Sequence, residues 1–453
     1  MRESIEQLLD RLIHASAVER VAVSIAALLA SILVGAVLVF VSGGFASCRT
    51  GLDIVGWTFC YNPMQVYYEL FLGALGHPLE PGFHPLNFNL ATTLQQTTLL
   101  VFTGLSVAVA FRAGLFNIGT QGQLVVGGLA TAVTVLYAAA IVPGGFVGTI
   151  VLIPIGVLAG AIAGGLYGAI PGALKAYGGA NEVITTIMLN FVAVGLTSTL
   201  LSWQFQDPNS ANPQTAPVPE YAEIPNIPFI GFGGRMNFSM LALGFAIVLM
   251  IVIAWLLART SFGYELRISG VQPLAAAYGG VDDKRMTVTS MTLSGALGGI
   301  GGAFWVLMVH GRWLENVPAL GFDGIAVSIL AGNNPLGVGA AAFLFGVLQS
   351  GSRSISTGTA VPPELVGILS GLIILFVAMP EFFRMIGMRY GIGQKKAVRA
   401  DGGARVATDE ESPNGGNRTS VDDGDQPAAD DGNQTVAADG DQTAADNGGE
   451  GDD

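Results

Sequence analysis

Through residue 390 the chain alternates long apolar runs with short polar breaks rich in Gly and Pro. Seven runs, at 21–41, 91–111, 121–142, 149–170, 183–202, 237–258 and 286–310, are each long enough as helices to cross about 30 Å of hydrocarbon. After them the pattern fragments. The apolar stretch 321–332, bounded by Pro318 and by Asn333-Asn334-Pro335, is too short to span alone, and two further apolar runs follow at 335–351 and 363–379. Basic residues set the sidedness. Arg259, Arg267, Lys284 and Arg285 lie between two spans, and Arg384, Arg389, Lys395, Lys396 and Arg399 follow the last. The excess of Lys and Arg on cytoplasmic loops places the 259–285 loop and both termini inside, in a cell membrane. Residues 42–90 and 203–236 are then external, and 65–76 reads as a short interfacial helix. Parity requires 315–333 to cross once as a broken helix. The expected fold is an all-α polytopic membrane protein of about ten transmembrane helices, including that broken or re-entrant one.

The 259–285 loop holds a short predicted helix, Gln272 to Tyr278, with Gly270 before it and Gly279-Gly280 where a helix stop belongs. A short helix outside the bilayer needs a partner surface, either the membrane or another protein. Residues 1–20 carry Ile5, Leu8, Leu9, Leu12 and Ile13 at helical spacing among arginines. They read as an amphipathic helix on the cytoplasmic interface. The membrane body is 21–390, and 391–453 is an acidic tail expected to be disordered.

Composition sharpens this picture. Half the residues are hydrophobic (51%) and only 12% are charged, about half the usual share of a soluble domain. Residues 401–453 carry the whole net charge of −13, so the body is neutral and the acidity says nothing about a nucleic-acid surface. No nucleic-acid partner is expected, and the tail's composition suits a high-salt cytoplasm.

The motifs exclude more than they assign. None of the four lysines is followed by Ser or Thr, so no phosphate-cradling loop is present. If ATP drives this protein, ATP and Mg bind another chain. The four histidines are scattered, Cys48 and Cys60 make no metal pattern, and no metal site is expected. Those two cysteines, in an external segment, are either a disulfide or two unpaired thiols. An intramembrane enzyme lacks a suitably placed nucleophile or metal cluster. A stand-alone secondary transporter or facilitator would keep several membrane-depth charges, and the clear candidate is Asp323 alone. Asp323 either lines a solute path or caps the broken helix. Asn117, Gln121, Gln123 and Asn190 complete the candidate translocation path. Asn117, Gln121 and Gln123 either bond a neutral polar solute or tie a re-entrant backbone to its neighbours. Asn181-Glu182 reads as an N-cap with an acid in the first turn, with a coupling role as the alternative. Phe304 and Trp305 read as core or lipid contacts ahead of stacking platforms.

Four blocks in order carry a family resemblance: Gly114-Leu-Phe-Asn-Ile-Gly-Thr-Gln-Gly-Gln123, Asn181-Glu-Val-Ile-Thr-Thr-Ile-Met-Leu-Asn190, Gly270-Val-Gln-Pro-Leu-Ala-Ala-Ala-Tyr-Gly-Gly280, and Gly321-Phe-Asp-Gly-Ile-Ala-Val-Ser-Ile-Leu330 with Asn334-Pro-Leu-Gly337. Together, across 90–390, they resemble the membrane permease subunits of ABC importers for nucleosides and simple sugars, in the branched-chain amino acid and ribose permease superfamily. The resemblance implies a cytoplasmic ABC ATPase, a second permease subunit, identical or not, and an external solute-binding lipoprotein. It makes Gly270, Gln272, Pro273, Ala275, Ala276 and Gly280 the ATPase-coupling residues. Gln121 stands where the resembled block usually has an acid.

Overall fold

Apolar helices follow one another in the order the hydropathy pattern predicts. The structure is a computed structural model and describes residues 17–46, 52–54, 57–79, 82, 87–225, 238–359 and 361–389. All of these fall in one unit, Met1–Lys395, and the second unit, Lys396–Asp453, lies outside the described residues. So do residues 1–16 of the expected amphipathic helix, whereas 17–20 open the first span, α1 (Ala17–Phe45). A small antiparallel hairpin, Leu52–Ile54 with Trp57–Phe59, follows. α2 (Pro63–Tyr67) continues through a π-helical turn, Tyr68–Leu72, and a 3-10 turn, Gly73–Leu75, over the expected interfacial helix.

The remaining helices are α3 (Phe88–Arg112), α4 (Thr120–Ala139), α5 (Phe146–Gly178), α6 (Glu182–Leu200) and α7 (Met240–Arg259). After them come α8 (Ser261–Val271), α9 (Pro273–Tyr278), α10 (Asp283–Phe304), α11 (Leu320–Leu330), α12 (Pro335–Gly358) and α13 (Pro363–Arg389). Among the described residues eight helices are long and apolar enough to cross a membrane, and α11 and Pro363–Met379 are shorter apolar helices. That agrees with about ten crossings.

Side-chain caps mark many of the starts. Asn87, Asn181, Asn334 and Asp282 each accept a backbone N–H from the first turn of α3, α6, α12 and α10. α5 overruns its expected end at residue 170. Pro171 lies inside it, and the helix stops only at Gly179, which adopts the left-handed conformation at φ 64°. Lys175 in its last turn pairs with Glu182 at 2.8 Å, which fixes the α5–α6 corner.

α3 is the central helix: 89% of its apolar window is buried, against 22% for α5, α6 and α7. α12, α11, α10 and α7 pack around it. A satellite cluster joins Val39 of α1, Val66 and Leu70 of the α2 segment, Leu348 and Ile355 of α12, and Leu369 and Ile373 of α13. The tightest pairing is α5 on α10. α5 presents Gly156, Gly160, Gly164, Gly168 and Gly172 at every fourth position, hence on one face. Gly295 and Gly299 of α10 lie against them. A Cβ on Gly164 would stand 2.5 Å from the Gly295 carbonyl oxygen, and one on Gly299 would run into the carbonyl oxygen of Gly160. Without water-driven burial in lipid, such close backbone approach is how helices gain dispersion contact.

Arg112, at the end of α3, donates from Nε to the Asn333 carbonyl at 2.9 Å. This defines one end of the bundle. At the other end the 206–225 segment pairs with the stretch after α10: Thr215 N–H bonds the Trp313 carbonyl, and Val218 N–H bonds that of Gly311. Residues 311–333 therefore run from one end to the other, first as irregular chain (311–319) and then as α11. Eleven residues of helix cover about 16 Å, roughly half the hydrocarbon thickness. The expected broken crossing takes this form.

Candidate functional site

The 113–123 segment re-enters the bundle alongside α3. Asn117 is fully buried. Its Nδ2 donates to Gln123 Oε1 (3.0 Å) and Ser294 Oγ (2.8 Å), and its Oδ1 accepts the Gly119 N–H (2.9 Å). Gln121 bridges two helix starts: Oε1 accepts the Gly321 N–H at 2.7 Å, and Nε2 donates to the Pro318 carbonyl at 2.9 Å. Asn190 reaches in from α6, accepting from Gly122 N (2.8 Å) and donating to the Ile118 carbonyl (3.0 Å). All four amides predicted to line a path thus have protein partners. Asn117, Gln121 and Asn190 satisfy backbone groups left open at membrane depth, and Gln123 braces the Asn117 side chain.

Asp323 sits in the first turn of α11 and accepts from Gln349 Nε2 of α12 at 2.8 Å. Asn181 caps α6 through bonds to the Val183 and Ile184 N–H groups. Cys60 is disulfide-bonded, and Cys48 lies outside the described residues.

The loop after α7 holds two helices where one was expected. α8 begins at Thr260, whose hydroxyl accepts the Gly263 N–H at 3.1 Å. α9 starts at Pro273, with Gln272 preceding it, and ends in a turn where Val281 N–H bonds the Ala276 carbonyl and Gly280 has φ 82°. Of the resemblance-derived coupling residues, Gln272, Pro273, Ala275 and Gly280 are exposed, while Ala276 is fully buried and anchors the helix. Large apolar side chains project instead from Val271, Leu274 and Tyr278, which are 78%, 79% and 95% exposed. At the other side of this unit, Gly270 packs directly on Ala113 and Gly114 at the head of the re-entrant segment.

Sequence reasoning missed a chamber at the opposite end of α3. A cavity of about 280 Å³ is walled by Gln95, Gln96 and Leu99 of α3, Trp305 and His310 beyond α10, and Leu320 of α11. A second, of about 520 Å³, shares Phe88, Thr92 and Arg353 with it and adds Glu69, His77 and Ser354. Glu69 accepts from Ser354 at 2.7 Å and has His77 Nε2 at 3.6 Å. Phe304 and Trp305 are core residues, as read from the sequence, and Trp305 also faces the chamber. Gln95 and Gln96 are 7% and 8% exposed, and among the described residues neither side chain makes a hydrogen bond. The sequence signal was there: two adjacent glutamines inside an apolar span.

Residues 89–378 match the family described as branched-chain amino acid transport system / permease component. The chain is 31% identical over 354 residues to the nucleoside ABC transporter permease protein NupB of Lactococcus lactis subsp. cremoris, covering 77% of this chain and 91% of that one. It is 35% identical to the guanosine ABC transporter permease protein NupP of Bacillus subtilis, over 65% of this chain and 82% of the relative. It is 32% identical to the glucose ABC transporter permease protein TsgB13 of Haloferax volcanii, over 73% and 83%. With most of the multi-pass body matched, this chain belongs to the branched-chain amino acid transport system permease family.

Proposed function

We propose that this chain is the membrane permease subunit of an ABC importer that moves a nucleoside or a simple sugar. Similarity to permeases named for nucleosides, guanosine and glucose supports that solute range. The observation that carries the coupling reading is α9. Leu274 and Tyr278 stand nearly free of the chain that bears them, although burying such side chains is worth roughly 1.5–3 kcal/mol each. An ATPase groove supplies that burial. The loop's basic residues put it in the cytoplasm with both termini. ATP and Mg then belong to the ATPase, and this chain carries no catalytic residue. A second permease subunit, an external solute-binding lipoprotein and the bilayer complete the assembly. Motion of the ATPases reaches the spans through Gly270 and Gly114. The amides of Asn117, Gln121, Gln123 and Asn190 hold the backbone that shapes the path, with Asp323 beside it. For coupling to occur, the ATPase must bind the two states of the path with different affinity.

Affinity capture of the tagged chain in mild detergent, followed by mass spectrometry, tests this. Wild type recovers an ATPase, and Leu274→Asp with Tyr278→Asp loses it while remaining in the membrane. Substitution of buried Ala276 would not separate docking from folding. Absence of any ATPase with wild type would replace the reading by a stand-alone carrier.

A further inference from the structure

We infer that Gln95 and Gln96 bind the transported solute directly, making the α3 chamber a recognition site within the permease itself. This rests on the importer reading and specifies where the solute is held. Both side chains are more than nine-tenths buried, both line the same cavity, and neither has a hydrogen-bonding partner among the described residues. Two carboxamides together offer four N–H donors and two carbonyl oxygens. Their polar atoms are not sealed in protein but open onto the cavity, so water or a solute supplies the hydrogen bonds that the chain does not.

Neighbouring polar groups behave differently. Asn89 Nδ2 bonds the Gly73 carbonyl, Thr93 the Ala74 carbonyl and Thr97 the Thr93 carbonyl. The amides of the 113–123 segment are likewise engaged. Thr92, on the cavity wall, also bonds the Phe88 carbonyl within its helix, so among these α3 polar side chains the two glutamines alone are left to the cavity.

The chemistry of the wall defines the ligand. The two carboxamides present donors and acceptors without charge, and Arg353 and His310 stand on the same wall, so the chamber suits a polar solute bearing several hydroxyls or a heterocycle edge. Leu99 and the indole of Trp305 supply apolar surface beside them. Leu320, at the start of α11, closes the same cavity. A bound solute therefore touches the half-helix whose start Gln121 holds.

Thiol protection on the intact chain in lipid nanodiscs tests this without any partner subunit. Gln95→Cys, Gln96→Cys and Thr92→Cys are reacted with a small methanethiosulfonate, with wild type as the blank and millimolar guanosine or glucose as the protecting probe. Thr92 lies on the same wall and remains informative if a glutamine variant fails to fold. The expected result is labelling slowed several-fold by one of the two solutes. Adding Gln95→Leu to the Gln96→Cys chain should raise the half-protecting concentration about tenfold, the equivalent of one net hydrogen bond. Labelling rates unchanged by both solutes at every position would mean that the amides are only hydrated, and would overturn the inference. Capture of the ATPase reads the importer assignment separately: ATPase without protection sinks the site alone, and protection without ATPase keeps the site in a stand-alone carrier.

Discussion

Gly270 and Gly114 meet backbone to backbone. A Cβ on Gly114 would stand 2.7 Å from the Gly270 carbonyl oxygen, and one on Gly270 would stand 2.5 Å from the Ala113 carbonyl carbon. No side chain intervenes between the α8–α9 unit and the re-entrant segment, so displacement on one side has no soft layer in which to be absorbed.

Gly114→Ala should break this contact. Gly114 has φ 69°, a conformation that costs an L-residue roughly 1–2 kcal/mol, and the added methyl also meets Gly270. ATP-driven uptake should fall further than the melting temperature in detergent, with ATPase binding retained. Wild-type uptake would remove this contact from the coupling route.

The α5–α10 seam should tolerate no added carbon. Gly299→Ala drives its methyl into the Gly160 carbonyl, and little folded protein should survive detergent extraction. Gly367→Ala on α13, where a Cβ meets nothing within 4 Å, should be neutral or stabilising by about 0.5–1 kcal/mol. Fluorescence-detected size-exclusion after heating compares the two directly.

Gln121→Leu should leave the Gly321 N–H without its partner, while the Pro318 carbonyl keeps the Leu320 N–H, at about 1–3 kcal/mol for the unsatisfied group. Gln121→Glu keeps an acceptor for Gly321 and loses only the bond to Pro318. The Glu variant should retain more uptake than the Leu variant, and the reverse order would reject the bridging role.

Single cysteines at Gly311 and Pro335 should label from opposite sides of the membrane. Gly311 is held by Val218 at one end of the bundle, while Asn334 adjoins the Arg112–Asn333 bond at the other. Labelling from one side would refute the crossing.

The spans were legible because lipid imposes a long, uniform demand on every crossing residue, and parity exposed the broken one before any geometry was known. α8 was not legible. Its 11 residues include Gly263 and Gly270 and no long apolar run, so it looked like connector; its Thr260 cap was the available signal. The hairpin at 52–59 was missed because three-residue strands leave no alternation to read. The amides were the hardest case. Asn117 and Gln96 are similar side chains on neighbouring segments, and one is fully bonded while the other faces a cavity without a partner. Only the positions of their neighbours distinguish them.

The glycine seam also limits how this machine can move. Where side chains interdigitate, helices can slip by changing rotamers; where carbonyl meets Cα there are no rotamers to change. α5 and α10 must therefore travel as one keel. α11, a half-length helix, is tethered by Gln121 at its start, by Arg112 just beyond its end and by Gln349 at its flank. Its Gly321 and Gly324 also lie against the backbone of Gln121 and Thr103, so the hydrogen-bonded end near Asn333 and the Gln349 flank can exchange partners more readily than its start.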